Sequence, residues 1–403
     1  MAISTVVRLG AGLIMFIVAA RFLGPSEFGI FAGAVSYCML LNLLTDFGLV
    51  TYSLRQAGSS QELTVDIVRR ALLVKTVVTL LAILGATPLV LLFAPDPAIL
   101  KVLIFAFPAI TLAAYADLAF VAARANSRFD IERNCIVWTS TLHLALVCVT
   151  AVVTNDSVAT SAALLVSRLI YVFGAVHALR RWLLAQAPWP TASSELWQTT
   201  RSAVPYAIDG ALTNVSNQID VVMVTLLMDP ASVGIYLAGA RLVQSIAPVA
   251  TILSNVYLPR LSQAYQRRKW VELRVLSRRL NIEFGVLALC SFLGFYFFGP
   301  IWTNLIYGPE FSPLIELWPG FAIFASVRIL AASFGIHLAA FNEIYVRVLG
   351  QTAALSITVV AFLALGSSMN NRVAIIILVI VNVSILFMYA LRVISIISRK
   401  KIK

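Results

Sequence analysis

The stretch LGPSEFGIFAGA at 23–34 is answered 205 positions later by MDPASVGIYLAG at 228–239. Pro25 matches Pro230, Gly29 matches Gly234, Ile30 matches Ile235, and Phe31 stands where Tyr236 stands. Three identities in twelve carry little weight alone. Their weight comes from recurring at half the chain length and at the same step of the hydropathy pattern, where one hydrophobic stretch gives way to the next. A chain that repeats itself in same-sense halves inside a membrane is a common plan for a transporter, with its site between the halves.

The composition supports a membrane setting. Of the 403 residues 60% are hydrophobic and 12% charged, and the mean hydropathy is +0.92. Soluble domains carry roughly 25% charged residues, so a water-soluble globule is excluded. The first apolar run, Ala2 to Phe22, carries Arg8 and lacks a small-residue cleavage site, which makes it an uncleaved first helix rather than a signal peptide. The four cysteines (Cys38, Cys135, Cys148, Cys290) lie in or beside apolar segments without metal-ligand spacing and read as buried small hydrophobes.

Twelve segments are apolar enough to span a bilayer of about 20 residues' helical length. They are 2–22, 28–50, 71–93, 98–122, 135–154, 158–179, 202–227, 232–258, 280–303, 313–340, 346–366 and 373–397. Connections after odd spans are short and built from turn formers, such as APDP (94–97), TNDS (154–157) and YGPEFSP (307–313). Those after even spans are mostly longer and basic. With the span ends that border them and the C-terminal tail, they hold 22 of the 30 Lys and Arg; the odd connections hold three. The positive-inside rule then places both termini and the basic loops in the cytoplasm. The net charge of +12 is therefore a topology signal, with scope for contact with anionic lipid, and does not mark a nucleic-acid binder.

The expected architecture is all-α and polytopic, with six-helix lobes at 1–179 and 202–403 joined by a cytoplasmic linker at 180–201. Equal helix counts make the repeats parallel, related by an axis along the membrane normal. Between Pro259 and Leu280, apolar Trp270, Leu273, Leu276 and Leu280 at helical spacing predict an amphipathic helix on the inner membrane surface.

Charged side chains within spans are the informative residues, because each costs from about 2.5 kcal/mol upward at the bilayer centre and usually faces the bundle interior or water. Arg168 and Arg328 fall near the middle of spans 6 and 10, and Arg241 a third of the way into span 8. Arg8 and Lys75 lie toward the ends of spans 1 and 3, where they either snorkel or line a cavity. Asp46 and Asp117, also near span ends, read as solvated or helix-end residues. Span 7, VPYAIDGALTNVSNQIDVVMVTLL, is the most polar. Asp209, Thr213, Ser216 and Asp220 share one face, with Asn217 beside them. The two aspartates, about 16 Å apart along the helix, either bind cations or titrate separately, or else neutralise intramembrane arginines. His143, His177 and His337 are scattered singly, so no metal site is expected. Nucleotide-binding, metalloprotease, redox and hydrolase motifs are absent, and external connections are too short to hold a catalytic domain; neither a cofactor nor an enzyme activity is expected.

ARFLGPSEFGIF (20–31) followed by DFGLVTYSLRQ (46–56) resembles the opening of the polysaccharide-unit flippases, the Wzx-type O-antigen and exopolysaccharide transporters. NQIDVVMV (217–224) leading into MDPASVGIYLAGARL (228–242) resembles the start of their second half. These flippases belong to the multidrug/oligosaccharidyl-lipid/polysaccharide (MOP) exporter superfamily. The resemblance implies a V-shaped, MATE-like pair of lobes around a central cavity. It implies an oligosaccharide on undecaprenyl pyrophosphate as cargo, moved outward across a bacterial inner membrane by alternating access and coupled to protons or sodium. A polysaccharide polymerase and glycosyltransferases would be its partners. The chain opens directly on span 1 where relatives have a longer lead, which implies a start further upstream. Arg168, Arg241, Arg328 and Arg8 become candidates for the pyrophosphate, since guanidinium matches phosphate bidentately. Asp209, Asp220 and Asn217 become candidates for ion coupling. A cation-coupled drug exporter would want acidic cavities, a peptidoglycan-precursor flippase usually has fourteen helices, and a membrane polymerase or glycosyltransferase would want a long external loop.

Overall fold

The computed structural model describes residues 2–59, 64–93, 97–183 and 193–399. Among these the chain is helical throughout, and it divides into two compact units, Met1–Leu226 and Leu227–Lys403. The first contains α1 (Ala2–Asp46), α2 (Leu49–Ser59), α3 (Thr64–Phe93), α4 (Pro97–Ala119), α5 (Val121–Ala125), α6 (Phe129–Thr154), α7 (Ser157–Leu183) and α8 (Ser193–Leu227). The second contains α9 (Pro230–Gln244), α10 (Ala247–Gln266), α11 (Trp270–Leu293), the single turn α12 (Gly299–Trp302), α13 (Trp318–Ala340), α14 (Ile344–Leu365) and α15 (Asn371–Arg399). Each expected span coincides with helix. Nine described segments are long and apolar enough to cross a membrane; one of them, Ser4–Leu43, covers most of the first two expected spans, and the expected spans at 71–93 and 202–227 are not among the nine. The protein is an all-α, multi-span membrane protein.

Both repeat turns start helices in the same way. Gly24 breaks α1 with φ 71°, and Pro25 opens the following stretch, where its fixed φ and missing N–H cost nothing. At the second turn Asp229 caps α9, accepting a hydrogen bond from the Ser232 backbone N–H at 3.0 Å, and Pro230 occupies the first helical turn. Corresponding side chains are buried in both: Phe28 and Val233, Phe31 and Tyr236. The TNDS turn works similarly. Asn155 adopts the left-handed conformation after α6, and Asp156 caps α7 through the Ala159 N–H at 2.7 Å.

In the first unit α1, α4, α6 and α7 form the packed centre. The DFGLVTYSLRQ segment fits α8 against this unit. Gly48 has φ +65°, and a Cβ there would lie 2.5 Å from the Tyr206 backbone carbon, so both conformation and space require glycine. Tyr52 stacks obliquely on Tyr206 at 6.3 Å, and Arg55 donates to the Tyr206 hydroxyl at 2.7 Å. Gly33 makes a further close approach, to Thr225 of α8.

In the second unit α13 is central, packed on α10, α11 and α15. Two π-helical turns, Gly294–Phe298 and Thr303–Tyr307, flank α12. They seat Trp318, which stacks on Phe295 at 5.5 Å and donates its indole N–H to Thr303 at 2.8 Å. The stripe at 270–280 corrects the expectation of a separate surface helix. Trp270 begins α11, which continues into the expected ninth span. Leu273 and Leu280 are buried with Tyr257, Leu261 and Ala264 of α10, and Trp270 and Leu276 pack against the same cluster. The helical spacing holds, but the apolar face is covered by protein. Helical periodicity marks an apolar face without saying what covers it.

Candidate functional site

The charged residues of the first unit gather where α1, α3, α4, α6 and α7 meet. Arg8 of α1 grips Asp117 of α4 with both arms of its guanidinium, at 3.0 Å and 2.9 Å. It also donates to the Tyr171 hydroxyl of α7 at 2.8 Å, and Tyr171 in turn donates to Asp117 at 2.7 Å. Phe120 stacks on the Tyr171 ring at 6.1 Å and holds it in place. Ser4, Ala11 and Met15 share the Arg8 face of α1 and are buried, whereas Val6 on the opposite flank is exposed. Arg8 therefore points into the helix bundle.

A second intramembrane cation is paired in the same unit. Lys75 of α3, fully buried, donates to Asp46 at 3.1 Å and to the Thr45 carbonyl at 3.3 Å. That site is the C-terminal end of α1, where the helix dipole also favours a cation. Asp46 and Asp117 are thus ion-paired rather than simply solvated, and Arg8 and Lys75 turn inward rather than snorkelling. The sequence puts these partners on different helices, 29 and 109 residues apart, and spacing along one chain cannot reveal such pairs.

Arg168 of α7 is held differently. Its guanidinium meets Nε2 of His143 on α6 at 3.4 Å, and His143 Nδ1 lies 2.7 Å from the Ser167 hydroxyl. Ser167 donates its own proton to the Leu164 carbonyl at 2.6 Å. The Ser167 oxygen is then an acceptor, so Nδ1 carries the imidazole proton and Nε2 presents its lone pair to Arg168. Among the described residues Arg168 forms no ion pair with a carboxylate. His143 stands alone in the sequence, with no second metal ligand near it; its role as a neutral acceptor is legible only once α6 and α7 are packed. A further pair, Arg124 with Glu132, closes the α5–α6 corner through bonds of 2.6 Å and 3.0 Å.

In the second unit Arg241, half-buried on α9, donates to Gln244 at 3.2 Å. Arg328, on α13, lies over the Phe324 ring at 5.9 Å. Asp220 is buried in the first unit. The backbone of α8 is helical through Asp209, Thr213 and Asn217, but their side chains lie outside the described residues. Among the described residues no group of three His, Cys, Asp or Glu is placed to hold a metal ion.

The fold is shared with solved membrane transporters. The lipid II flippase MurJ in an inward closed conformation superposes with a TM-score of 0.76 at 12% identity, covering 97% of this chain and 87% of that one. An inward-facing multidrug resistance MATE family transporter of the MOP superfamily gives 0.71 at 14% identity, covering 98% and 95%. A eukaryotic MATE transporter gives 0.63 at 16%, covering 97% and 93%. No curated protein matches the sequence. The family described as polysaccharide biosynthesis protein matches residues 1–265, and the chain belongs to it.

Proposed function

We propose that this protein is a flippase of the MOP superfamily that moves an oligosaccharide repeat unit carried on undecaprenyl pyrophosphate from the inner to the outer leaflet of a bacterial plasma membrane, for surface polysaccharide assembly. Transport is by alternating access and draws on a proton or sodium gradient. The observation that carries the reading is Arg168, an arginine within an apolar span whose guanidinium hydrogen-bonds to the neutral His143 and which, among the described residues, forms no ion pair, Asp117 acting on it only at a distance. A charge in that setting is costly, and it stays because an anion completes it in the loaded state. Pyrophosphate oxygens match guanidinium bidentately, which favours this cargo over the cationic drugs that would want carboxylates.

Arg8, Arg241 and Arg328 are assigned to the same anion, and Asp209, Asp220 and Asn217 to ion coupling. The basic loops support an orientation with both termini in the cytoplasm, where the lipid-linked unit is assembled by glycosyltransferases; a polymerase would act on the delivered product. In a strain lacking its own flippase, Arg168→Ala should abolish surface polysaccharide and Arg168→Lys should restore only a part of it, at unchanged protein abundance. Wild-type export by Arg168→Ala would overturn the reading. In the same assay Asp220→Asn should alter the dependence on pH or sodium, and an unchanged dependence removes Asp220 from coupling.

A further inference from the structure

We infer that Asp117 is an internal counter-ion that occupies Arg8 until the anionic head of the cargo displaces it. This rests on the proposed pyrophosphate-linked cargo and adds a specific control of loading and release.

Three observations lead to it. The Arg8–Asp117 pair uses both guanidinium arms, the same two-point geometry that a phosphate presents. It is also open: the side chains are 37% and 29% exposed, whereas Lys75 is fully enclosed and the Arg124–Glu132 pair is 15% and 6% exposed.

The third observation is what surrounds Asp117 once Arg8 leaves. Tyr171 keeps donating to it at 2.7 Å. Lys75 on α3, Arg124 on α5 and Arg168 on α7 all act on it electrostatically. Asp46 and Glu132, the other carboxylates of the cluster, are already taken by Lys75 and Arg124. The released carboxylate keeps the Tyr171 hydrogen bond and the nearby positive charge of Arg168, which compensate it in part when the anions exchange on Arg8. The same arrangement gives a route for release, because Asp117 stays within reach and competes for Arg8 throughout. Tyr171 guides both states, since its hydroxyl touches the acid and the guanidinium.

The test uses the full chain in nanodiscs, with undecaprenyl pyrophosphate, inorganic pyrophosphate and undecaprenol as probes. A flip assay in proteoliposomes reads turnover. Asp117→Asn should tighten undecaprenyl pyrophosphate binding roughly ten-fold, near the low end of typical coupling because the pair is partly exposed, while slowing turnover several-fold. Asp117→Glu should return both toward wild type. In an Arg8→Ala background Asp117→Asn should change nothing. A purely structural Asp117 would instead lose binding and turnover together.

If Asp117→Asn does not accumulate as folded protein, Tyr171→Phe carries the test: the released carboxylate loses a compensating donor, so undecaprenyl pyrophosphate binding should weaken several-fold, and in an Arg8→Ala background the same change should leave binding unaltered. Tightening toward inorganic pyrophosphate as well identifies the phosphate group as the competitor; tightening restricted to the lipid shows that the head must arrive on its tail, and either supports the exchange. Wild-type binding with an unchanged affinity in Asp117→Asn, or an equal gain without Arg8, overturns the exchange alone. Wild-type protein that prefers neither pyrophosphate probe over undecaprenol overturns the cargo assignment and the exchange with it.

Discussion

Replacing Glu132 by glutamine should destabilise the protein far more than replacing Asp130 by asparagine, although the two acids are two residues apart and each meets an arginine through both arms. Arg124 holds Glu132 at 2.6 Å and 3.0 Å, with side-chain exposures of 15% and 6%. Arg128 holds Asp130 through two bonds of 3.1 Å, at exposures of 56% and 49%. In Glu132→Gln the new side chain would keep one acceptor but turn an amide N–H toward the guanidinium, leaving Arg124 buried without its counter-charge. Breaking a buried pair from one side costs about 3–5 kcal/mol, whereas an exposed pair contributes about 0–1 kcal/mol. The expected gap of about 3 kcal/mol is two orders of magnitude in the unfolding constant. Unfolding in mixed micelles, followed by tryptophan fluorescence, measures it. Raising salt should shrink the Asp130→Asn effect and leave the Glu132→Gln effect largely intact. The double variant Arg124→Met/Glu132→Met should recover much of the loss, because no lone charge remains buried. Equal costs for the two single variants would refute the argument that burial sets the strength of these pairs.

Three other positions give contrasting or conditional outcomes. Gly299→Ala places a Cβ 2.4 Å from Cγ of the fully buried Trp318 and should cost about 1–3 kcal/mol in the same micelle assay, while Gly285→Ala, with nothing within 4 Å, should be neutral or slightly stabilising. Asp229→Ala removes the α9 cap and should cost about 1 kcal/mol, with Asp229→Asn close to wild type. Burial pushes the Asp229 carboxyl up, but hydrogen bonds from the Ser232 hydroxyl and neighbouring backbone N–H groups outweigh it and hold the group below its usual range. A carboxyl lowered by folding stabilises above its unfolded pKa. Amide protection at the start of α9 should therefore be steady from neutral pH to about 5 and fall only below about pH 4; a loss near neutrality would contradict the cap.

Much of the protein is legible from residues in order. Apolar runs of spanning length and short turn-former connections point to the helices, because each depends on neighbours along one chain. The repeated Pro-x-x-x-Gly-Ile-aromatic turn reads as a helix start, and Pro25 and Pro230 both open helical stretches. The segment DFGLVTYSLRQ carries a resemblance without a reason. The reason is Gly48 beneath the α8 backbone and Arg55 on Tyr206.

Hydropathy along the chain already shows which charges sit in apolar spans; what each one faces follows from how the helices pack. Arg8, Lys75 and Arg168 look alike in a hydropathy plot. Packing leaves Arg8 partly open beside Asp117, encloses Lys75 completely against a half-exposed Asp46 at a helix end, and gives Arg168 a neutral histidine. The leucine stripe of 270–280 is the same lesson for apolar residues, since its period fits a membrane surface and a protein interior equally well. Periodicity and hydropathy are one-dimensional properties fixed by the backbone's 3.6-residue repeat. Compensation of a charge is a matter of a few ångströms between helices, and it is settled only when they pack.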